Sequence, residues 1–247
     1  MKYKCVVKYN GYNYSGWQKQ PNNTSIQEEI TKVLSIINKK TIEIVASGRT
    51  DAKVHALAQV FHFESDIAID INRYVNAMNA LLPLDIRILK VEIVDEQFHA
   101  RFSAIAKRYD YLLSYDDNNP FNYQTNAIIH KKLDYDKMCD VVNVFIGTHD
   151  FTSFTSAKID ERKPRIKTIT RLEINEVENG YHFIIEGNGF LRYMVRMIVG
   201  TIIQVGLLKI SKEDVISMLE KKDKHACRYK ADPNGLYLHS VKYKEEI

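Results

Sequence analysis

Ser47-Gly48-Arg49-Thr50-Asp51-Ala52-Lys53-Val54-His55-Ala56 lies between two short apolar runs, Thr41 to Ala46 and Leu57 to Phe63. The branched and aromatic residues of both runs read as strands, so the stretch between them is a strand-to-strand connection. Gly48 gives that connection backbone freedom. Arg49 stands two positions from Asp51, close enough for a guanidinium to reach the carboxylate and keep it ionised. His55 follows four residues later, where the sequence turns apolar. On spacing alone, a solvated loop with a surface ion pair of little energetic weight is the simpler reading.

Upstream of this connection, Tyr3, Cys5, Val7 and Tyr9 alternate with Lys4, Val6 and Lys8, which predicts a strand with one buried face. Asn10 to Asn23 is a polar loop holding Trp17, either a packing anchor or an aromatic that stacks on a base. Thr24 and Ser25 are helix-start signals, and Ile26, Ile30, Val33, Leu34 and Ile37 form one apolar stripe behind them. Downstream, Asp70 caps a second helix, in which Ile71, Tyr74, Val75, Met78 and Leu81 share a face and which Pro83 ends; Ile86 to Val94 returns as a strand. The order strand, helix, strand, strand, helix, strand is the ferredoxin-like plan, with both helices on one sheet face and the other face open to a ligand.

A second half begins near Ala104. Lys107, Tyr109, Tyr111, Leu113 and Tyr115 share one strand parity, and Arg108, Asp110, Leu112 and Ser114 the other. A helix from about Asp134 to Ile146 is stopped by Gly147, and Glu178-Asn179-Gly180 is a hairpin turn. Phe190 to Val205 reads as a further helix, and Ser211 with Asp214 caps a shorter one. The expected architecture is α+β: two similar ferredoxin-like, RRM-like units with antiparallel mixed sheets, residues 1-103 and 104-247, packed around a central cleft.

Composition bounds function more loosely. With 247 residues, 45% of them hydrophobic, the chain can bury a sizeable core. A formal charge of +4, from 35 Lys and Arg against 31 Asp and Glu, leaves room for a local basic face without arguing for nucleic acid. Cys5, Cys139 and Cys227 are odd in number and lack ligand spacing, which suits thiols of a reducing, cytoplasmic compartment. No signal peptide or membrane-length apolar run is visible, and the most apolar segment, Phe190 to Leu208, carries Arg192 and Arg196. Gly-rich phosphate loops, dinucleotide fingerprints and metal-ligand spacings are absent from the sequence, so no cofactor and no metal are expected.

The motif Ser47 to Ala56 resembles the signature of the tRNA pseudouridine synthase A family. Other stretches resemble it in order along nearly the whole chain. They are Asn10-Gly11, Tyr14, Gly16-Trp17-Gln18 and Gln20; Ser25-Ile26-Gln27; Phe98-His99-Ala100-Arg101-Phe102-Ser103; Lys107-Arg108-Tyr109 with Tyr111; Gly147-Thr148-His149-Asp150-Phe151 with Ser153-Phe154; Gly189-Phe190-Leu191 with Met194-Val195-Arg196; and Pro233 with Gly235-Leu236. Lys53 departs from the pattern, which has Gly there.

The resemblance implies an isomerase that converts uridine to pseudouridine at positions 38 to 40 of the tRNA anticodon arm, acting as a homodimer. Asp51 would be the nucleophile, Arg49 would orient it and could fill the space of a flipped base, and Tyr109 would stack on the uracil. Leu191 offers an apolar wall, Arg192 and Arg196 partners for phosphate or for Asp51, and His55, Lys107 and Arg108 further substrate contacts. Pseudouridine formation transfers no electron, phosphoryl group or external atom, so one ionised carboxylate, a base pocket and proton transfer from C5 suffice. His149-Asp150 lacks an accompanying Ser or Cys nucleophile motif and reads as structural or RNA-positioning. The run from Arg162 to Lys167 is either a solvated loop or a phosphate clamp. A non-catalytic RNA-binding module of the same fold is the competing reading; a metal-assisted nuclease or hydrolase fares worse, because the carboxylates are not clustered.

Overall fold

The architecture follows from two alternations of strand and helix, seen in a computed structural model that describes residues 1–67, 70–115, 119–156 and 164–244. The chain divides into two compact units, one of Met1–Ile105 with Tyr237–Ile247, the other of Ala106–Leu236.

In the first unit β1 (Lys2–Tyr9) is followed by α1 (Ile26–Asn38), β2 (Ile44–Ala46), β3 (His55–Glu64), α2 (Ile71–Leu81) and β4 (Ile86–Val94). β1 pairs antiparallel with both β3 and β4, and β2 pairs antiparallel with β3, which gives the order β4-β1-β3-β2 of the expected plan. Tyr3, Cys5, Val7 and Tyr9 are buried, as the alternation predicts. Ser25 caps α1 by accepting from the Glu28 N–H, and Asp70 caps α2 by accepting from the Arg73 N–H, each worth about 1 kcal/mol. The helices deliver Ile26, Ile30, Val33 and Leu34 from α1, and Tyr74 and Met78 from α2, to the core. There Tyr3 stacks on Phe63, and Tyr74 meets both rings edge-on.

The opposite sheet face, expected to be open, is covered in part, while Lys8, Glu64 and Lys90 on it stay exposed. Phe98 and Tyr243 cover Lys4, whose Nζ lies 5.7 and 4.9 Å from their ring centroids, and the Tyr243 hydroxyl donates to the Ala100 carbonyl at 2.7 Å. The covering segments are distant from β1 in sequence, so local periodicity carries no sign of them.

The second unit contains β5 (Ala104–Tyr115), β6 (Ala127–Ile129), α3 (Tyr135–Val142), β7 (Gly147–Asp150), β8 (Ile166–Val177), β9 (Gly180–Gly187), α4 (Met194–Gly206) and α5 (Lys212–Lys221). Its strands run in the order β5-β9-β8-β7, with β6 parallel to β5. The hairpin forms at Asn179, and Ser211 with Asp214 makes a full capping box. α3 stops four residues before Ile146, its expected end, and α4 begins at Met194 rather than Phe190 because Tyr193 takes a left-handed backbone, φ 67°.

β10 (Leu236–Tyr243) pairs parallel with β3, Tyr237 opposite His55 and Leu238 opposite Ala56. The terminal strand therefore belongs to the first unit, not to the second where the sequence reading puts it. Such pairing spans 182 positions of sequence, a separation at which amphipathic patterning says nothing about partners. Among the described residues no helix is long and apolar enough to cross a membrane.

His62 sits on β3 beneath the 98–102 segment, only 8% exposed, and its Nδ1 accepts the Ala100 N–H at 3.1 Å. Burial, with the neighbouring His99 ring and Lys2, pulls its pKa down to about 4. A histidine depressed in the folded state leaves stability intact above about pH 6.5 and costs stability as pH falls from there toward 4, because the unfolded chain takes up the proton first. His62→Asn keeps an acceptor without the titration. The stability gap between wild type and this variant is therefore expected to narrow from pH 7 to pH 4.5 in chemical denaturation, and a gap that stays constant would count against the assignment.

Candidate functional site

The loop after β2 is fastened through main-chain groups at both ends and at its turn. The Ser47 N–H donates to the Val60 carbonyl at 2.7 Å and its hydroxyl to Gln59 Oε1 at 2.6 Å, while Gln59 Nε2 donates to the Gly48 carbonyl at 2.9 Å. Thr50 turns inward: its hydroxyl lies 2.9 Å from that of Tyr9, whose phenol burial pushes up, and its carbonyl accepts the Trp17 N–H. Trp17 is 1% exposed and packs between Tyr9 and Phe61, so it is an anchor for this loop rather than a surface aromatic. The Lys53 N–H reaches the Tyr14 carbonyl, and the Val54 N–H closes a turn onto the Asp51 carbonyl.

Gly16 shows how closely the amino-terminal loop presses on this turn. With φ at +92°, it comes so near that a Cβ there would lie 2.6 Å from the Thr50 carbonyl oxygen and 2.9 Å from the Asp51 carbonyl carbon. No L side chain fits at that separation.

Asp51 thus has a fixed main chain and a half-exposed side chain. Arg49 is exposed and forms no ion pair with it, contrary to the expectation from their spacing. The reason is Thr50: pinned inward by Tyr9 and Trp17, it fixes the chain between the two charges and leaves the guanidinium in solvent. His55 is fully within the fold as the first residue of β3, its Nδ1 accepting the Gly11 N–H at 3.1 Å and its ring stacked on Tyr237 at 4.6 Å. That hydrogen bond requires Nδ1 to be unprotonated. Lys53 occupies a left-handed position, φ 65°, and holds its ammonium 4.9 Å from the Tyr12 ring centroid.

In the second unit, Tyr109 of β5 meets Phe190 edge-on at 5.2 Å; Leu191, just before α4, and Val195, in its first turn, are buried. Lys107 and Tyr109 share a strand parity; Arg108 points to the other side, where Nε and Nη2 grip Asp110 at 2.7 and 2.9 Å and His182 Nε2 shares the same carboxylate at 2.8 Å. Arg108 is thereby committed to bracing the strand. Arg192 precedes α4 instead of lying on it, its carbonyl accepting from Thr155 Oγ1 and the Ser156 N–H. Arg196 is buried and donates from Nε to the Ala231 carbonyl at 2.8 Å, a nonlocal tie that local patterning gives no sign of. Tyr111 is fully buried, and burial pushes its phenol up.

His149 and Asp150 form no dyad with each other: His149 Nε2 contacts the Ile146 carbonyl, and Asp150 accepts from the Thr152 N–H and hydroxyl. Asn234 staples the terminal turn by donating to the Tyr123 and Asn126 carbonyls. Of the basic run, Arg162 and Lys163 lie outside the described residues, while Arg165 is half-buried and Lys167 lies in β8. Among the described residues, no cluster of three His, Cys, Asp or Glu is placed to hold a metal ion.

Comparison with known proteins places this geometry in context. A family profile described as tRNA pseudouridine synthase matches residues 5–103 and 141–244. The chain is 42% identical to the tRNA pseudouridine synthase A of Bacillus subtilis (strain 168) and 43% identical to that of Bacillus pumilus (strain SAFR-032). Each match covers 98% of this chain and 99% of the relative. A solved Cbf5-Nop10-Gar1 complex gives a TM-score of 0.43 at 14% identity over 97% of this chain and 59% of that one, too slight a likeness to bear on the argument. With the profile matching most of its length and such relatives aligned end to end, the chain belongs to the tRNA pseudouridine synthase family.

Proposed function

We propose that this protein isomerises uridine to pseudouridine at positions 38 to 40 of the tRNA anticodon arm, with Asp51 as nucleophile. The observation that carries the reading is the Asp51 turn: a carboxylate left half-exposed on a main chain locked by the 10–17 loop, in a chain whose full-length relatives are named tRNA pseudouridine synthase A. A nucleophile held this way loses little entropy on reaching the transition state.

The reaction breaks the N1–C1′ bond, turns the detached uracil, joins C5 to C1′, releases the C5 proton and returns one proton to N1. Tyr109, half-exposed beside Phe190, has a ring face on which a detached base can rest. Exposed Arg49, unengaged by Asp51, is free to meet the RNA where the base leaves its stack. Arg192 and Lys107 supply phosphate contacts, and Leu191 an apolar wall. The protein works in the cytoplasm as a homodimer, because an anticodon arm is longer than the reach of one small binding face. Light scattering is expected to find the dimer with and without tRNA; monomer under both conditions would remove the dimer while leaving the chemistry untouched.

Asp51→Asn keeps the volume and one acceptor while removing charge and nucleophilicity. Affinity for a tRNA transcript is expected to stay near normal, since phosphates and stacking supply most of it, while pseudouridine formation falls by roughly a thousandfold or more. Full activity in this variant would show that another carboxylate does the work. If the wild type converts no uridine in any tRNA, the binding-module reading wins.

Lys53 bears on the same turn. A left-handed non-glycine residue costs about 1 kcal/mol, so Lys53→Gly relieves strain at the expense of a more flexible unfolded chain, and the two effects are of similar size. Stability is therefore expected to change by less than about 1 kcal/mol, turnover at saturating tRNA to persist, and the salt dependence of tRNA binding to drop by about one phosphate contact. An unchanged salt slope would strip Lys53 of any phosphate role.

A further inference from the structure

Tyr193 has a backbone that its own sequence does not favour. Its φ is 67°, it caps α4 without any side-chain hydrogen bond to the helix, and it is neither Gly nor Asn. A left-handed tyrosine persists only where the surroundings hold it, and such residues gather at binding sites.

What surrounds it is positive charge. Lys230 Nζ lies 4.6 Å from the Tyr193 ring centroid, Arg192 Cζ 4.8 Å and Arg196 Cζ 5.6 Å, and Arg192 Nη2 donates to the Tyr193 hydroxyl at 3.0 Å. Lys230 comes from a segment more than thirty positions away, and the main chain delivers it. The Ala231 N–H donates to the Arg196 carbonyl at 2.9 Å, Arg196 Nε returns a bond to the Ala231 carbonyl, and Gly200 lets the segment press onto α4. A Cβ on Gly200 would sit 2.8 Å from the Ala231 nitrogen and 2.9 Å from the Lys230 nitrogen, so the approach exists only because that side chain is missing.

A ring face attracts cations but neutralises none of their charge. Among the described residues no carboxylate pairs with Arg192 or Lys230, and both are exposed. The first turn of a 13-residue helix adds further positive potential at the same place. Convergent cations around a half-buried ring complement a ligand that alternates anionic groups with flat ones, which is the chemistry of an RNA strand.

We propose that Tyr193, Arg192 and Lys230 form a subsite for one phosphodiester of the bound RNA, with the Tyr193 ring as the floor against which the two cations are aimed. This rests on the RNA-modifying reading above and extends it to Tyr193 and Lys230. The left-handed backbone of Tyr193 is what turns the ring beneath both cations.

The test is the salt dependence of binding of a tRNA transcript to Arg192→Gln, Lys230→Gln and the double variant, with Lys230→Arg as the charge-preserving control. Each removed cation is expected to lower the slope of log affinity against log salt by about 0.7 to 0.9, with the double variant losing about twice that. The loss is expected to fall on KM rather than kcat, and Lys230→Arg to restore the slope; a thermal melt matching that of the wild type certifies the fold of each variant. Wild-type slope and KM in the double variant would overturn the subsite while wild-type pseudouridine formation stands. A slope lost in Arg192→Gln alone would overturn the pairing with Lys230. If the wild type makes no pseudouridine but the slopes fall as stated, the subsite holds and the isomerase reading is the one that fails.

Discussion

The contact on which the site depends is the press of the 10–17 loop against the 50–54 turn. It is made almost wholly of main chain: Trp17 N–H to the Thr50 carbonyl, Lys53 N–H to the Tyr14 carbonyl, and Gly16 seated where no Cβ fits. Backbone contacts of this kind fix a position to within tenths of an ångström without depending on rotamers. The buried Trp17 ring underwrites them by anchoring the loop between Tyr9 and Phe61, so hydrophobic packing in the core becomes positional precision at Asp51.

The second unit solves a similar problem by different means. Its strand β5 carries Tyr109 on one side and, on the other, the Arg108–Asp110–His182 cluster, a nearly buried carboxylate held by two partners. Removing one partner of such a group leaves a desolvated charge, which is why the cluster resists change and stiffens the strand that presents Tyr109. Charge serves rigidity there, whereas around Tyr193 it is left on display.

Local chemistry made much of this legible in the sequence. The alternation from Tyr3 to Tyr9, the caps at Ser25, Asp70 and Ser211, and the turn at Asn179 each depend on neighbours within a few positions, and the structure places them as read. The motif Ser47 to Ala56 led to the family because its residues are consecutive. What stayed hidden depends on partners far along the chain. The start of α4 moved because Tyr193 is held left-handed by its surroundings; part of the free sheet face is covered by residues 98–102 and Tyr243; and the expected Arg49–Asp51 pair gave way to the burial of Thr50. Spacing shows which groups can meet, but not which neighbour wins them.

The return of β10 to the first unit has a consequence for how the chain is made. A ribosome releases the Asp51 loop well before the strand that lies beside β3 and stacks Tyr237 on His55. Until some 180 further residues have been added, the first unit lacks its closing strand and β3 has an unpaired edge at His55 and Ala56. The Asp51 loop of a chain that has not yet reached Tyr237 and Leu238 therefore rests on an incomplete sheet, and the arrival of that strand is the step that closes the first unit around it.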